Sequence, residues 1–172
     1  RLLEKSGEAN FDMRMAHYQC EQAREAVQQG DVAQALQLLT TAMQATPDAA
    51  RPRILLGQLQ LSLGQAQAAY DTLSTLFERS DAAAPLAAAS LAKAAQAADW
   101  AAQATKLLEA HYEKQPGIDV LEAIAALEAR TPEGSAASRQ CFLKHLDKHA
   151  SLMAATRWLS EQGSEATHVP AP

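Results

Sequence analysis

The chain has 172 residues, a length that fits one compact domain. Its net charge is −5, and 5% of its residues are aromatic. Abundant Ala, Leu and Gln and few β-branched residues favour helix over strand. Nucleic acid selects basic surfaces, so the negative charge argues against nucleic-acid binding. The sequence contains no apolar run of about 18 residues, the length that spans a bilayer as a helix.

The first residues are predicted to form the end of a truncated helix, with Gly7 as its stop. Because the chain begins at Arg1 without Met, we expect it to be part of a longer protein. That expectation leaves an upstream membrane anchor or targeting signal open. The next helix is predicted from about Asn10 to Gln29, where apolar residues recur at helical spacing.

From Ala16 to Asp81 the sequence repeats itself at a period of 34 residues. The pairs that keep this offset are Ala23 and Gly57, Gly30 and Gly64, Ala35 and Ala69, Leu39 and Leu73, and Ala42 and Leu76. This period is typical of tetratricopeptide helix pairs, each of which stacks on the next to bury its apolar stripe. The glycines at 30 and 64 are predicted at turns with positive φ, and the alanines at 35 and 69 at helix crossings.

A third unit follows at an offset of 35. Its correspondences are Leu91 and Ala92 for Leu56 and Gly57, Asp99 for Gly64, Ala104 for Ala69, and Leu108 for Leu73. We place the inserted residue in a loose stretch at 81–85, where a loop absorbs it at little entropic cost. A fourth, weaker unit puts Phe142 in the position of Leu108.

The predicted fold is therefore all-α, a right-handed superhelical tetratricopeptide-repeat solenoid of about four helix pairs plus a capping helix. The solenoid is predicted over residues 1–162, with repeats at about 16–49, 50–83, 85–117 and 118–149 and the cap at 151–162. Residues 163–172 have the composition of a flexible linker.

The residue types that often act in catalysis or metal binding do not have the spacing that such sites require. His145 and His149 lie four apart, but Leu146 stands where a metalloprotease helix has Glu, so we expect exposed histidines. Cys20 and Cys141 form no CxxC pair and are expected to be reduced, buried thiols. The sequence has no glycine-rich phosphate loop and no nucleophile elbow. We therefore expect no enzyme and no cofactor.

The remaining candidate for a functional site is a binding surface formed by the first helix of each pair. Residues one period apart form two ladders across it: Arg24, Gln58 and Lys93, and beside them His17, Arg51 and Leu86. Less exposed positions are expected between them, at Cys20, Ile54 and Ala89. The predicted partner-binding residues are Arg24, Arg51, Gln58 and Lys93, in a mildly basic groove for an acidic or mixed segment. The alternative is an ordinary solvated helix face.

Four short motifs resemble one protein family. They are His17-Tyr18-Gln19-Cys20-Glu21, Ala68-Ala69-Tyr70, Asp99-Trp100-Ala101 and Glu128-Ala129-Arg130. Their order and spacing, over about residues 1–162, resemble the lipopolysaccharide assembly protein B family. Side chains at many intervening positions differ from that family.

The resemblance implies a non-catalytic adaptor on the cytoplasmic face of the bacterial inner membrane, anchored by a helix upstream of the repeats. Its implied partners are a membrane-bound ATP-dependent protease and the lipid A pathway deacetylase, whose proteolysis restrains lipopolysaccharide synthesis. Family members end in a rubredoxin-like metal ribbon built on two CxxC pairs. This sequence contains no CxxC pair, so the resemblance assigns no metal-binding residue to it.

One other function remains open at this point, a generic tetratricopeptide scaffold of another bacterial envelope or secretion complex. A transferase would require the binding of a sugar nucleotide, and we expect calorimetry with such ligands to show no heat of binding.

Overall fold

The computed structural model describes residues 2–79, 81–129, 136, 139–140 and 142–144, with side chains from residue 11 onward. Its helices are α1 (Leu2–Gln28), α2 (Val32–Ala45), α3 (Ala50–Ser62), α4 (Ala66–Glu78), a 3₁₀ helix (Ala84–Ala87), α5 (Ala88–Ala97), α6 (Ala101–Lys114) and α7 (Ile118–Glu128). Within these residues no strand occurs, which agrees with the all-α prediction. The predicted cap and linker lie outside the described residues.

Consecutive helices pack against each other in pairs, α1 with α2, α3 with α4 and α5 with α6, and each pair also contacts the next. Each helix has an apolar stripe that it cannot bury alone, and stacking the pairs covers it. The predicted succession of helix pairs therefore holds through α7, the first helix of the fourth unit.

The prediction that Gly7 stops a helix is wrong, because α1 runs without a break from Leu2 to Gln28. Positive φ occurs at only two described glycines, Gly30 and Gly64, so Gly7 keeps an ordinary helical backbone. A glycine inside a helix costs about 1 kcal/mol relative to alanine, which weakens a helix without ending it.

Three helices end with the same backbone device at the positions the repeat predicts. Gly30, Gly64 and Asp99 have φ of 81°, 75° and 61°. The next amide donates to the carbonyl five residues before it: Asp31 to Ala26 (2.8 Å), Gln65 to Gln60 (2.9 Å) and Trp100 to Ala95 (2.7 Å). This is the Schellman arrangement, which satisfies carbonyls at a helix C-terminus and needs a left-handed residue. Asp99 thus fills a glycine position.

Replacing Asp99 by valine is expected to lower the free energy of unfolding by about 1–2 kcal/mol, because a β-branched residue resists the left-handed conformation. Replacing it by glycine should leave the protein at least as stable. Urea denaturation followed by circular dichroism measures both. The control is Gln103→Val on the exposed face of α6, and an equal effect of the two valine substitutions would contradict the assignment.

Equivalent positions of the repeat fill the core. Ala35, Ala69 and Ala104 are fully buried, as expected for residues at helix crossings. The next turn of α2, α4 and α6 contributes a large buried side chain, Leu39, Leu73 and Leu108, and Phe142, which the sequence places at the same position of the fourth unit, is also fully buried. Small residues let the helices approach, and large ones fill the space between pairs.

Ala69→Leu is expected to overpack its crossing and to cost about 1–3 kcal/mol of folding free energy. The same substitution at Ala102, exposed on α6, is the control and should change stability by less than about 0.5 kcal/mol. Chemical denaturation compares the two. If both variants unfold at the parent midpoint, the phase assigned to the repeat is wrong.

The stretch at 81–85 is more ordered than predicted. Its second half enters the 3₁₀ helix Ala84–Ala87, in which Ala84 and Ala87 are fully buried against the core. Asp81 starts the turn by accepting a hydrogen bond from the amide of Ala83 (2.8 Å). Small methyl groups allow this segment to pack closely, so the inserted residue is absorbed by a packed turn.

His111 is buried in the core, with 2% of its surface exposed. Its ring packs edge-on against Phe77, with 5.2 Å between centroids, and neither ring nitrogen has a hydrogen-bond partner within the described part of the chain. Burial, with a smaller effect from Lys114, lowers the pKa of His111 below its usual 6.5. Burial in the core therefore favours the neutral form of the imidazole.

This arrangement predicts a pH dependence of stability. The unfolded chain takes up the proton first as the pH falls below about 6.5, so stability should be full above that pH and should fall as the solution is acidified. His111→Phe should remove this part of the decline, leaving only the fall due to carboxyl protonation at lower pH. Urea melts of both proteins at pH 7.5 and 5.5 test this, and parallel declines would exclude His111 as the cause.

Candidate protein-binding face

The predicted site residues lie on the first helices of the pairs. These helices, α1, α3, α5 and α7, contact one another in sequence. In solenoids of helix pairs the first helices line the concave side. We call the exposed surface of α1, α3, α5 and α7 the concave face.

A cleft opens where α1, α2 and α3 meet, with a volume of about 330 Å³. Its floor is apolar and is formed by Ala23, Val27, Leu39, Leu55 and Leu59. Its rim is polar and is formed by Arg24, Gln28, Gln58 and Ser62. An apolar floor under a few polar groups is the usual make-up of a ligand site. Val27 remains 44% exposed here, so the α1–α3 cleft leaves apolar surface available to a partner.

A second cleft of about 370 Å³ lies between α5 and α7. Its apolar lining consists of Pro85, Leu86, Ala89, Ala92, Ala123 and Ala126, and its polar rim of Lys93, Gln96, Asp119 and Glu122. Leu86 is 71% exposed, the most of any large apolar side chain described. The α5–α7 cleft therefore offers a second apolar contact on the concave face.

The first ladder falls across these two clefts. Arg24 and Gln58 line the α1–α3 cleft together, whereas Lys93 lines the α5–α7 cleft. All three side chains are exposed, as predicted. The amide of Gln58 lies 3.5 Å from the hydroxyl of Ser90, which links α3 to α5 between the clefts.

The intervening positions agree with the prediction only in part. Cys20 is buried and Ile54 is half-buried, but Ala89 is exposed. Ala89 differs because it lines the open α5–α7 cleft.

The second ladder makes a direct contact across one period. Arg51 donates a hydrogen bond to Nδ1 of His17, 34 residues earlier, at 2.8 Å. Arg51 also forms an ion pair with Glu21, and Arg24 approaches the same carboxylate at 3.5 Å. The Glu21 carboxylate thus contacts two guanidinium groups, and the three side chains Arg24, Arg51 and Glu21 together carry one net positive charge. Reading residues one period apart missed Glu21, although its spacing of three from Arg24 is a helical pairing signal.

The charge carried by the first helices changes sign between α5 and α7. The two central first helices, α3 and α5, carry Arg51, Arg53 and Lys93 and no acidic residue. The next first helix, α7, carries Asp119, Glu122 and Glu128 and no basic residue. The structure therefore adds an acidic end to the basic groove that the sequence predicts.

Cys20 lies beneath this face as a buried free thiol, which agrees with the prediction. Burial raises its pKa, nearby Arg51 partly lowers it, and Glu21 raises it slightly. A protonated thiol is a poor nucleophile. Cys141, His145 and His149 lie outside the described residues.

Within the described ranges, no three His, Cys, Asp or Glu side chains are grouped to hold a metal ion. No described helix is both long and apolar enough to cross a membrane.

Comparison with known proteins assigns the architecture. Residues 26–93 match the tetratricopeptide repeat family. The chain is similar in fold to the first TPR domain of the human RPAP3 protein, solved by NMR, with a TM-score of 0.52 and 18% sequence identity. That similarity covers 73% of this chain and 96% of the other. No curated protein matches the chain. Residues 26–93 thus match tetratricopeptide repeats, and the part of the chain that the structure describes has the all-helical fold of a tetratricopeptide solenoid.

Proposed function

We propose that this chain is a non-catalytic module that binds a segment of a partner protein on its concave face. Tetratricopeptide repeats form protein-interaction scaffolds, which supports the class of function. The observation that carries the proposal is the α1–α3 cleft, whose apolar floor is open to solvent beneath a polar rim.

The two parts of the cleft contribute differently to binding. Burying a large apolar side chain is worth about 1.5–3 kcal/mol, so the floor supplies most of the affinity. An exposed ion pair to Arg24 adds about 0–1 kcal/mol. Its larger effect is on the association rate and on discrimination between partners.

A selection from a random peptide library on the full chain tests this proposal. Val27→Lys puts a charge into the exposed edge of the α1–α3 cleft, and Ala110→Lys on α6 puts the same charge on an exposed second helix. Selected peptides should bind Val27→Lys about tenfold or more weakly than the parent, a loss of roughly 1.4 kcal/mol. The α6 variant should bind like the parent. Equal binding to all three proteins would reject the cleft as the docking site.

We further propose a specific role as an adaptor in lipopolysaccharide synthesis, at the cytoplasmic face of the bacterial inner membrane and anchored upstream of this segment. Its partners would be a membrane-bound ATP-dependent protease and the lipid A pathway deacetylase. What supports this role is the resemblance in the order and spacing of the motifs at 17–21, 68–70, 99–101 and 128–130. The alternative is a scaffold of another envelope or secretion complex.

Pull-down of the purified protease and deacetylase, at low and high salt, separates these two roles. The adaptor role predicts capture of both proteins, and it predicts that Arg24→Glu with Lys93→Glu weakens capture mainly at low salt, where charges are least screened. Failure of the parent chain to capture either protein would favour the other scaffold role.

A further inference from the structure

We infer that the α1–α3 cleft takes an apolar side chain of the partner together with a neighbouring Asp or Glu, and that Arg51, from outside the cleft, sets this acidic preference by competing with Arg24 for Glu21. The inference rests on the proposed function, because it requires a partner segment in this cleft. It deepens that function by naming the chemistry of the segment and a residue that controls it.

The α1–α3 cleft has one charged residue among those that line it in the described part of the chain. That residue is Arg24, at the rim, and the neutral remainder of the rim is formed by Gln28, Gln58 and Ser62. The floor is apolar, so an apolar side chain of a partner fits there and the residue next to it meets a guanidinium. Guanidinium groups bind carboxylates through two parallel hydrogen bonds, which favours Asp or Glu at that position.

Arg24 is only weakly engaged within the protein. Its Nη1 atom lies 3.5 Å from Oε2 of Glu21, which is longer than a usual hydrogen bond. No other polar partner of Arg24 occurs among the described residues, and its side chain is 57% exposed. The remaining donors of Arg24 are therefore available to a carboxylate of a partner.

Glu21 is held mainly by Arg51. Its other oxygen, Oε1, forms the closer ion pair, with Nη2 of Arg51. Nη1 of the same guanidinium donates to Nδ1 of His17 at 2.8 Å, which fixes Arg51 against α1. Because its two oxygens are divided between two arginines, Glu21 makes a two-bond contact with neither. Arg51 thus withholds Glu21 from Arg24, and the cleft keeps a positive charge at its rim.

The same arrangement argues against a polyanion as the occupant. Arg24, Arg51 and Glu21 together carry a single net positive charge, whereas nucleic acid is bound through many phosphate contacts. An anionic membrane surface likewise requires a cluster of basic residues. One carboxylate beside an apolar side chain matches both the single charge and the apolar floor.

Matched peptides test the inference on the full chain. The probes are the tightest peptide from the random library and the same peptide with its acidic residue replaced by the corresponding amide. The ratio of their dissociation constants, measured by fluorescence polarisation at low salt, is the acidic preference. The variants are Arg24→Gln, Arg51→Gln, Glu21→Gln and the double variant Arg51→Gln with Glu21→Gln. The control is Lys106→Gln on the exposed surface of α6, and circular dichroism checks that each variant is folded.

We expect the parent and the control to prefer the acidic peptide about three- to fivefold, the range of an exposed ion pair. Arg24→Gln should abolish the preference. Arg51→Gln should abolish it as well, although Arg51 does not line the cleft, because Glu21 then pairs fully with Arg24. Glu21→Gln should raise the preference about threefold further, because no internal carboxylate competes. The double variant should keep the preference at or above the parent value, since Glu21 is then absent.

Three results would overturn the inference. The first is a selected peptide that has no acidic residue or that binds equally well with the amide, and if Val27→Lys still weakens its binding, the proposed function stands. The second is an unchanged preference in Arg51→Gln. The third is loss of the preference in the double variant, which would mean that Arg51 contacts the partner directly. If no peptide is selected at all, the inference and the proposed function both fail.

Discussion

Replacing Leu73 by alanine is expected to lower the free energy of unfolding by about 3–5 kcal/mol. Leu73 is fully buried on α4, and its side chain lies against Gly57 of α3. A Cβ atom added at Gly57 would come within 2.5 Å of Leu73 Cγ, so the leucine occupies the space that a side chain at 57 would need. Removing it leaves a cavity that the facing glycine does not fill, and such cavities are costly.

The Gly57–Leu73 contact makes this prediction testable as a double-mutant cycle. Gly57→Ala alone should cost about 1–2 kcal/mol, because the steric conflict with Leu73 exceeds the gain of about 1 kcal/mol in helix propensity. In the Leu73→Ala background the same substitution should be neutral or stabilising, because the conflict is gone. Equal effects in both backgrounds would show that α3 and α4 are not in close contact there.

Phe142→Ala is expected to cost about 3–5 kcal/mol, as for other buried aromatic residues. Phe142 is fully buried, in the position that Leu39, Leu73 and Leu108 occupy in the earlier units. The residue next to it, Leu143, is 46% exposed and provides a matched control. Leu143→Ala should change the free energy of unfolding by less than about 0.5 kcal/mol.

Urea denaturation monitored by far-ultraviolet circular dichroism measures both substitutions. A repeat array can unfold unit by unit, so a variant that weakens one unit, such as Phe142→Ala, should also lose helical signal ahead of the main transition. Coincident curves for the parent, the Phe142 variant and the Leu143 variant would mean that the fourth unit contributes no buried core.

The repeat period predicted the fold because each repeated position has the same structural role in every unit. Gly30 and Gly64 recur where the backbone needs positive φ, and the offset of 35 correctly assigned Asp99 to the same position. Local signals without a repeat were less reliable. Gly7 lowers the helix propensity locally, but its cost of about 1 kcal/mol does not end α1, which continues to Gln28.

The concave face was predictable only in outline. Periodicity identified exposed positions on the first helices, including Arg24, Gln58 and Lys93. It could not identify the clefts, because their shape depends on how neighbouring helices cross. It also missed Asp119 and Glu122, which have no charged equivalents one period earlier and resemble an ordinary solvated helix surface in the sequence.

The most direct test of the central claim is an NMR titration of the full chain with the tightest peptide from the library selection. Docking on the concave face predicts that the largest amide shift changes occur on the first helices, at residues that line the two clefts, with Val27, Gln58, Leu86 and Lys93 among them. Exposed residues of the second helices, such as Lys106 and Glu109, should change little. Shift changes concentrated on α2, α4 and α6 would contradict the account and place the binding site on the opposite side of the solenoid.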